Sequence, residues 1–172
     1  LALVQSGITE NDYLEISELS GADHILSATM ISSYQPPETI IDTDIRQKNE
    51  VVIKKEAYVD STGETKYKEI KGVVRATVEH YKKKSEAKIR LSYKIININD
   101  GKIVYNGEVS GRKDFFHEWA TFEGDKRALN NKYKYLVKQK DKFAPSEDSL
   151  LMSIAKNVSK KFAKRISNHY SK

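Results

Sequence analysis

The 172-residue chain contains no cysteine. That removes disulfide frameworks, thiolate metal sites and thiol nucleophiles together. It suits a reducing compartment, and equally an oxidising envelope space where an odd thiol is a liability. Long hydrophobic runs are missing too, since no stretch approaches the ~18 uncharged apolar residues of a membrane-crossing helix. The eight glycines fall mostly at turns and form no phosphate-cradling loop. The four histidines, His24, His80, His117 and His169, lie far apart. His117-Glu118 lacks the second histidine of a helical zinc site. No nucleophile elbow marks a Ser-His-Asp triad. Asp42-Thr43-Asp44 comes nearest to a cation loop, but short acidic loops of this kind are common. These absences lead us to expect no catalytic residue, no metal, no cofactor and no small-molecule substrate.

What is present is charge. Thirty Lys and Arg face 24 Asp and Glu, a net +6, which favours an anionic partner. Lysine dominates, and most lysines alternate with apolar residues or sit beside Glu and Asp. That is the pattern of a solvated surface more than of a clustered patch. A chain of this size buries roughly two-thirds of its unfolded surface, so it needs no covalent staple. We read residues 1–172 as one domain. It begins at Leu1 without Met or a signal sequence and is taken as truncated at its N-terminus.

The segment order predicts an α+β fold. Thr9 caps a first helix carrying Tyr13, Ile16 and Leu19, stopped at Gly21. The apolar run from His24 to Ile31 reads as a buried strand, closed by Pro36-Pro37. Residues 51–59 alternate and lead into the turn Asp60-Ser61-Thr62-Gly63. Ile70, Val74, Ala76 and Val78 share one strand face, and Ala87, Ile89, Leu91, Tyr93 and Ile95 share another. Lys82-Lys83-Lys84-Ser85 between them reads as a hairpin tip. Asn99-Asp100-Gly101 is the strongest hairpin signal in the chain, with residues 103–109 as the return strand. Residues 111–145 read as an irregular, aromatic-rich insertion, with a short helix near residues 125–135. Ser146 caps a last helix whose apolar stripe runs from Leu151 through Ile154, Val158 and Phe162 to Tyr170. The expected fold is an antiparallel meander of about four or five strands, with the N- and C-terminal helices packed on one face.

Two sets of residues stand out as candidate contacts. Phe115, Phe116, Trp119 and Phe122, extended by Tyr133 and Tyr135, form a candidate protein interface, because aromatic side chains dominate binding hot spots. The same cluster also reads as a loop folded back to plug the core. Lys82, Lys83 and Lys84, with Lys132, Lys134 and Lys138, are candidate contacts for an anionic polymer or nucleic acid. Residues 51–59 and the hairpin of residues 70–98 alternate over lengths that suit a half-buried sheet, and also strands of an oligomeric membrane barrel.

The segment Gly21-Ala22-Asp23-His24-Ile25-Leu26-Ser27-Ala28 resembles the bacterial envelope lipoproteins of the curli-secretion-channel and penicillin-binding-protein-activator type, a superfamily with TolB N-terminal-like domains. The stretch Ile96-Asn97-Ile98-Asn99-Asp100-Gly101-Lys102-Ile103-Val104-Tyr105-Asn106-Gly107 and the closing amphipathic helix are similar to the same family. The resemblance implies a non-catalytic scaffolding or assembly module of an envelope complex, in the periplasm or at the outer membrane. It implies envelope proteins as partners, self-association into an oligomer, and a lipid anchor outside this chain. The alternative carried forward is a basic module binding an anionic polymer or nucleic acid.

Overall fold

A computed structural model describes residues 3–4, 15, 19 and 21–171. Stretches rich in Ile, Val, Thr and Tyr favour extended backbone. They form β1 (Leu3–Val4), β2 (His24–Val59), β3 (Thr65–Asn97) and β4 (Ile103–Gly124). After β4 come a 3-10 turn at Lys126–Ala128, helix α1 (Asn131–Leu136) and helix α2 (Glu147–Tyr170). The sheet order follows the chain, β1-β2-β3-β4. The three long strands run antiparallel, and β1 adds a short parallel pairing of Leu3 with Leu26 and Val4 with Ser27.

This architecture overturns the expected α+β domain of four or five short strands between two helices. The described residues hold three strands of 36, 33 and 22 residues and one long helix, at the C-terminus. The helix expected from Thr9 lies outside the described residues, apart from Glu15, Leu19 and Gly21.

Two of the expected breaks do not occur, each for a physical reason. Pro36-Pro37 sits inside β2. Beyond Ser27 no described strand pairs with the outer side of β2, and an edge strand tolerates residues without an N–H donor. The expected hairpin tip at residues 82–85 lies mid-strand in β3. Residues 111–124, read as irregular, belong to β4. Both their faces carry aromatic or apolar side chains, which hid the alternation of a strand.

The turns that do form are those with specific chemistry. The Asp60 carboxylate accepts from the backbone N–H groups of Thr62 and Glu64 and from the Thr62 hydroxyl. Gly63 supplies φ +83° there. At the β3–β4 turn Asn97 N–H donates to Lys102 C=O at 2.9 Å, with Gly101 at φ +65°. Ser146 caps α2 by accepting from the Ser149 N–H, with Glu147 and Asp148 in the first turn, where the helix dipole favours negative charge.

The described chain divides into two compact units. The first comprises Leu1–Pro36, Ser85–Phe115 and Pro145–Lys172. In it Leu150, Ile154 and Val158 of α2 pack on Leu26, Ala87, Ile89, Tyr93, Ile95 and Val109. Gly111 permits this approach, because a Cβ there would lie 2.6 Å from the Ile154 side chain. The second comprises Pro37–Lys84 and Phe116–Ala144. Its core joins Ala76, Val78 and Ala120 of the sheet to Ala128, Leu129, Tyr133 and Leu136.

Gly124 ends β4 at φ +103°, with space for a Cβ closed by the Arg75 carbonyl oxygen at 2.6 Å. Gly101 has positive φ but open space around it. Left-handed backbone costs a side-chain-bearing residue about 1–2 kcal/mol. Gly101→Ala should therefore lose about that much, and Gly124→Ala clearly more, because the backbone it meets cannot move aside. Urea unfolding midpoints of the two variants check the order.

Candidate interaction surface

Strand β3 changes its buried side within a few residues. Up to His80 the even-numbered residues Ala76, Val78 and His80 are buried; from Ser85 onward the odd-numbered Ser85, Ala87 and Ile89 are. The intervening lysines lie in extended strand, and each has an acidic partner in the second unit. Lys82 donates to Asp42 at 2.5 Å, Lys83 to Asp141, and Lys84 lies 3.5 Å from Glu38. Three of the six candidate anion contacts are thus already engaged by carboxylates.

His80, only 2% exposed, lies at the centre of a titratable cluster. Its Nδ1 is 3.7 Å from Asp42 and its Nε2 is 3.1 Å from Glu118. Nε2 nevertheless makes no hydrogen bond of acceptable geometry. Tyr133 meets the ring edge-on at a centroid distance of 5.9 Å. The two carboxylates flank opposite ring nitrogens, and among the described residues no group of three or more His, Asp and Glu side chains is placed to hold a metal ion. The Lys82 hydrogen bond holds the Asp42 carboxyl below its ordinary value; burial opposes this, and the charges of Lys82, His80 and Lys132 reinforce it.

The six aromatic candidates do not form one surface. Tyr133 is buried in the second core and Phe122 packs half-buried against it. Phe115 is half-buried, whereas Phe116 and Tyr135 are exposed. Trp119 stacks on Tyr81 with centroids 5.0 Å apart and planes 6° from parallel. His117 stacks on Trp119 from 5.7 Å, and Lys83 lies over the indole at 5.2 Å. The Tyr81 hydroxyl donates to Glu79 at 2.6 Å. The sequence showed Trp119 as an anchor; His117 is its same-face neighbour two residues along β4, whereas Tyr81 comes from β3 by strand pairing and was not legible as a partner.

The remaining lysines divide. Lys132 sits over the Tyr133 ring at 5.6 Å. Lys134 and Lys138 line an open cleft with Asn49, Val51, Lys126 and Arg127. Asp125 binds the Arg127 guanidinium at 2.6 Å, so the uncompensated charge of that cleft comes from its lysines.

A further exposed apolar surface was not among the candidates. Asp125 N–H donates to Arg75 C=O where β4 ends. Residues 51–59 of β2 and 65–74 of β3 thereafter have only each other as described strand neighbours. On this two-stranded ribbon Ile53, Val59, Tyr67 and Val73 are 55%, 68%, 67% and 59% exposed. Its charges are paired along it, Lys54 with Glu56 and Lys55 with Glu69. The signal available in sequence was an alternating strand whose apolar side has no helix nearby in the chain to cover it.

No family model, curated protein or solved structure matches the chain.

Two predictions arise from this geometry. A double-mutant cycle on Tyr81→Ala and Trp119→Ala should give a coupling of about 0.5–1.5 kcal/mol, the range for an aromatic pair; a coupling near zero would show that the stack contributes no specific energy. Asp42 titrates lower in the folded than in the unfolded chain, so its stabilising contribution is present above its unfolded value of 3.8 and lost as pH falls through the lowered folded value. Asp42→Asn should therefore flatten the fall in melting temperature below about pH 4, measured by circular dichroism against the unmutated chain.

Proposed function

We propose that this chain is a non-catalytic assembly module of a bacterial cell-envelope complex, acting at the outer membrane or in the periplasm. Its partners are envelope proteins and further copies of itself, and its lipid anchor lies outside this chain. The observation that carries the assembly reading is the ribbon of residues 51–59 and 65–74. An isolated two-stranded hairpin is marginal in water, and its open edges template pairing with another strand. Exposed Ile53, Tyr67 and Val73 supply apolar anchors for such a partner, and main-chain hydrogen bonding supplies affinity. The envelope setting is supported by the sequence resemblance around residues 21–28 and 96–107.

A second reading, a basic module for an anionic polymer or nucleic acid, is favoured by the cleft holding Lys126, Lys134 and Lys138. Ionic strength separates the two, because contacts to a phosphate backbone weaken steeply with salt whereas apolar strand addition does not.

The test is the native mass of the protein extracted from its own membranes at moderate salt. The unmutated chain should run within a defined protein complex. A Tyr67→Lys/Val73→Lys variant should run as a monomer, with its melting temperature within a few degrees of the unmutated value, as expected for surface changes. An unmutated chain found as a lone monomer carrying nucleic acid or acidic polymer would overturn the assembly reading in favour of the second.

A further inference from the structure

Counted along the chain, the net charge accumulates entirely after Asp148. All 24 acidic residues lie at or before Asp148, where they are matched by 24 of the 30 Lys and Arg. The six remaining cations, which account for the whole +6, are Lys156, Lys160, Lys161, Lys164, Arg165 and Lys172. Five of them lie on α2, and all five are exposed.

None of these five enters an ion pair among the described residues. Lys161 reaches the Ser110 carbonyl at 3.5 Å, and Arg165 donates to the Glu108 carbonyl. Lys156, Lys160 and Lys164 follow one another at four-residue spacing and so form a single ridge. Like charges at that spacing destabilise a helix, whereas the three consecutive lysines of β3, Lys82, Lys83 and Lys84, each have a carboxylate partner.

The opposite face of α2 is already used. Leu150, Ile154 and Val158 are buried in the first core, so the helix cannot lay its apolar side into a bilayer. What it offers is a row of point charges on flexible stems, flanked by exposed Met152 and Tyr170. Tyrosine is suited to headgroup depth, with an apolar ring and a polar tip. The residues between the lysines on the outward side, such as Asn157 and Ser159, provide no stacking platform and no arginine fork for a base. We infer that the outer face of α2 is a membrane-surface contact, docking by charge on a leaflet of anionic phospholipid. It stands on the charge distribution alone and does not depend on the ribbon's role in assembly.

The experiment is flotation of the full chain with vesicles of phosphatidylglycerol and phosphatidylcholine, and with phosphatidylcholine vesicles alone. The protein should float only with the anionic vesicles, and binding should fall as salt screens the charges. Lys156→Gln/Lys160→Gln/Lys164→Gln should weaken binding by about two orders of magnitude, at ~1 kcal/mol for each lysine near the surface. Glutamine keeps helix propensity and relieves the repulsion, so this variant should melt at or above the unmutated temperature. Lys134→Gln/Lys138→Gln should bind vesicles as the unmutated chain does. The inference is overturned by equal binding to both vesicle types, by no binding to either, or by unchanged binding of the triple variant. Tighter binding to a short duplex DNA than to the vesicles at the same salt overturns it as well and assigns the face to nucleic acid.

Discussion

The structure depends on β3 remaining a single strand through a change of buried side. Alternation puts successive side chains on opposite faces, so a strand that buries Val78 and His80 and then Ser85 and Ala87 must carry residues that tolerate either environment in between. Lys82, Lys83 and Lys84 do so because their ammonium groups are held by Asp42, Asp141 and Glu38. Their long stems can cover apolar surface while the charge stays paired. The core of the first unit is built with α2, and that of the second with Tyr133 and Leu136 of α1.

The same pairing organises the charge. Within the second unit Asp42 serves Lys82 and lies beside buried His80, with Glu118 on the far side of the ring. A carboxylate used this way is fixed in place, and the lysine it holds is not free to recruit a phosphate. Helix α2 has the reverse arrangement, with cations and no acid beyond its first turn. Lysine content is therefore a poor guide to anion binding in this protein; whether a carboxylate lies within reach is the better one.

Several elements were legible because their causes are local. Ser146 followed by Glu147 and Asp148 caps a helix wherever it occurs, and α2 starts there. Asp60 through Gly63 and Asn99 through Gly101 make turns from their own side chains and backbone freedom. Two errors arose from breakers whose meaning depends on what lies beside them. Pro36-Pro37 ends a central strand but not an edge strand, and three lysines read as a solvated tip until Asp42 and Asp141 are placed next to them. The aromatic cluster was legible as residues but not as a site, since Tyr133 faces the core while Trp119 stacks on Tyr81.

The sequence by itself determined the turns at residues 60–63 and 99–101, the helix cap, the buried stripe of α2 through Ile154 and Val158 and the placement of all the net charge after Asp148, because each follows from residues adjacent in the chain or from counting. Tertiary structure alone decided that residues 65–97 form one strand, that Lys82–Lys84 are spent on carboxylates about 40 to 60 residues away, and that the ribbon beyond Arg75 is left uncovered. These depend on which strand lies beside which. Strand pairing joins residues by register across the sheet, and register is a property of two segments together that neither segment carries alone.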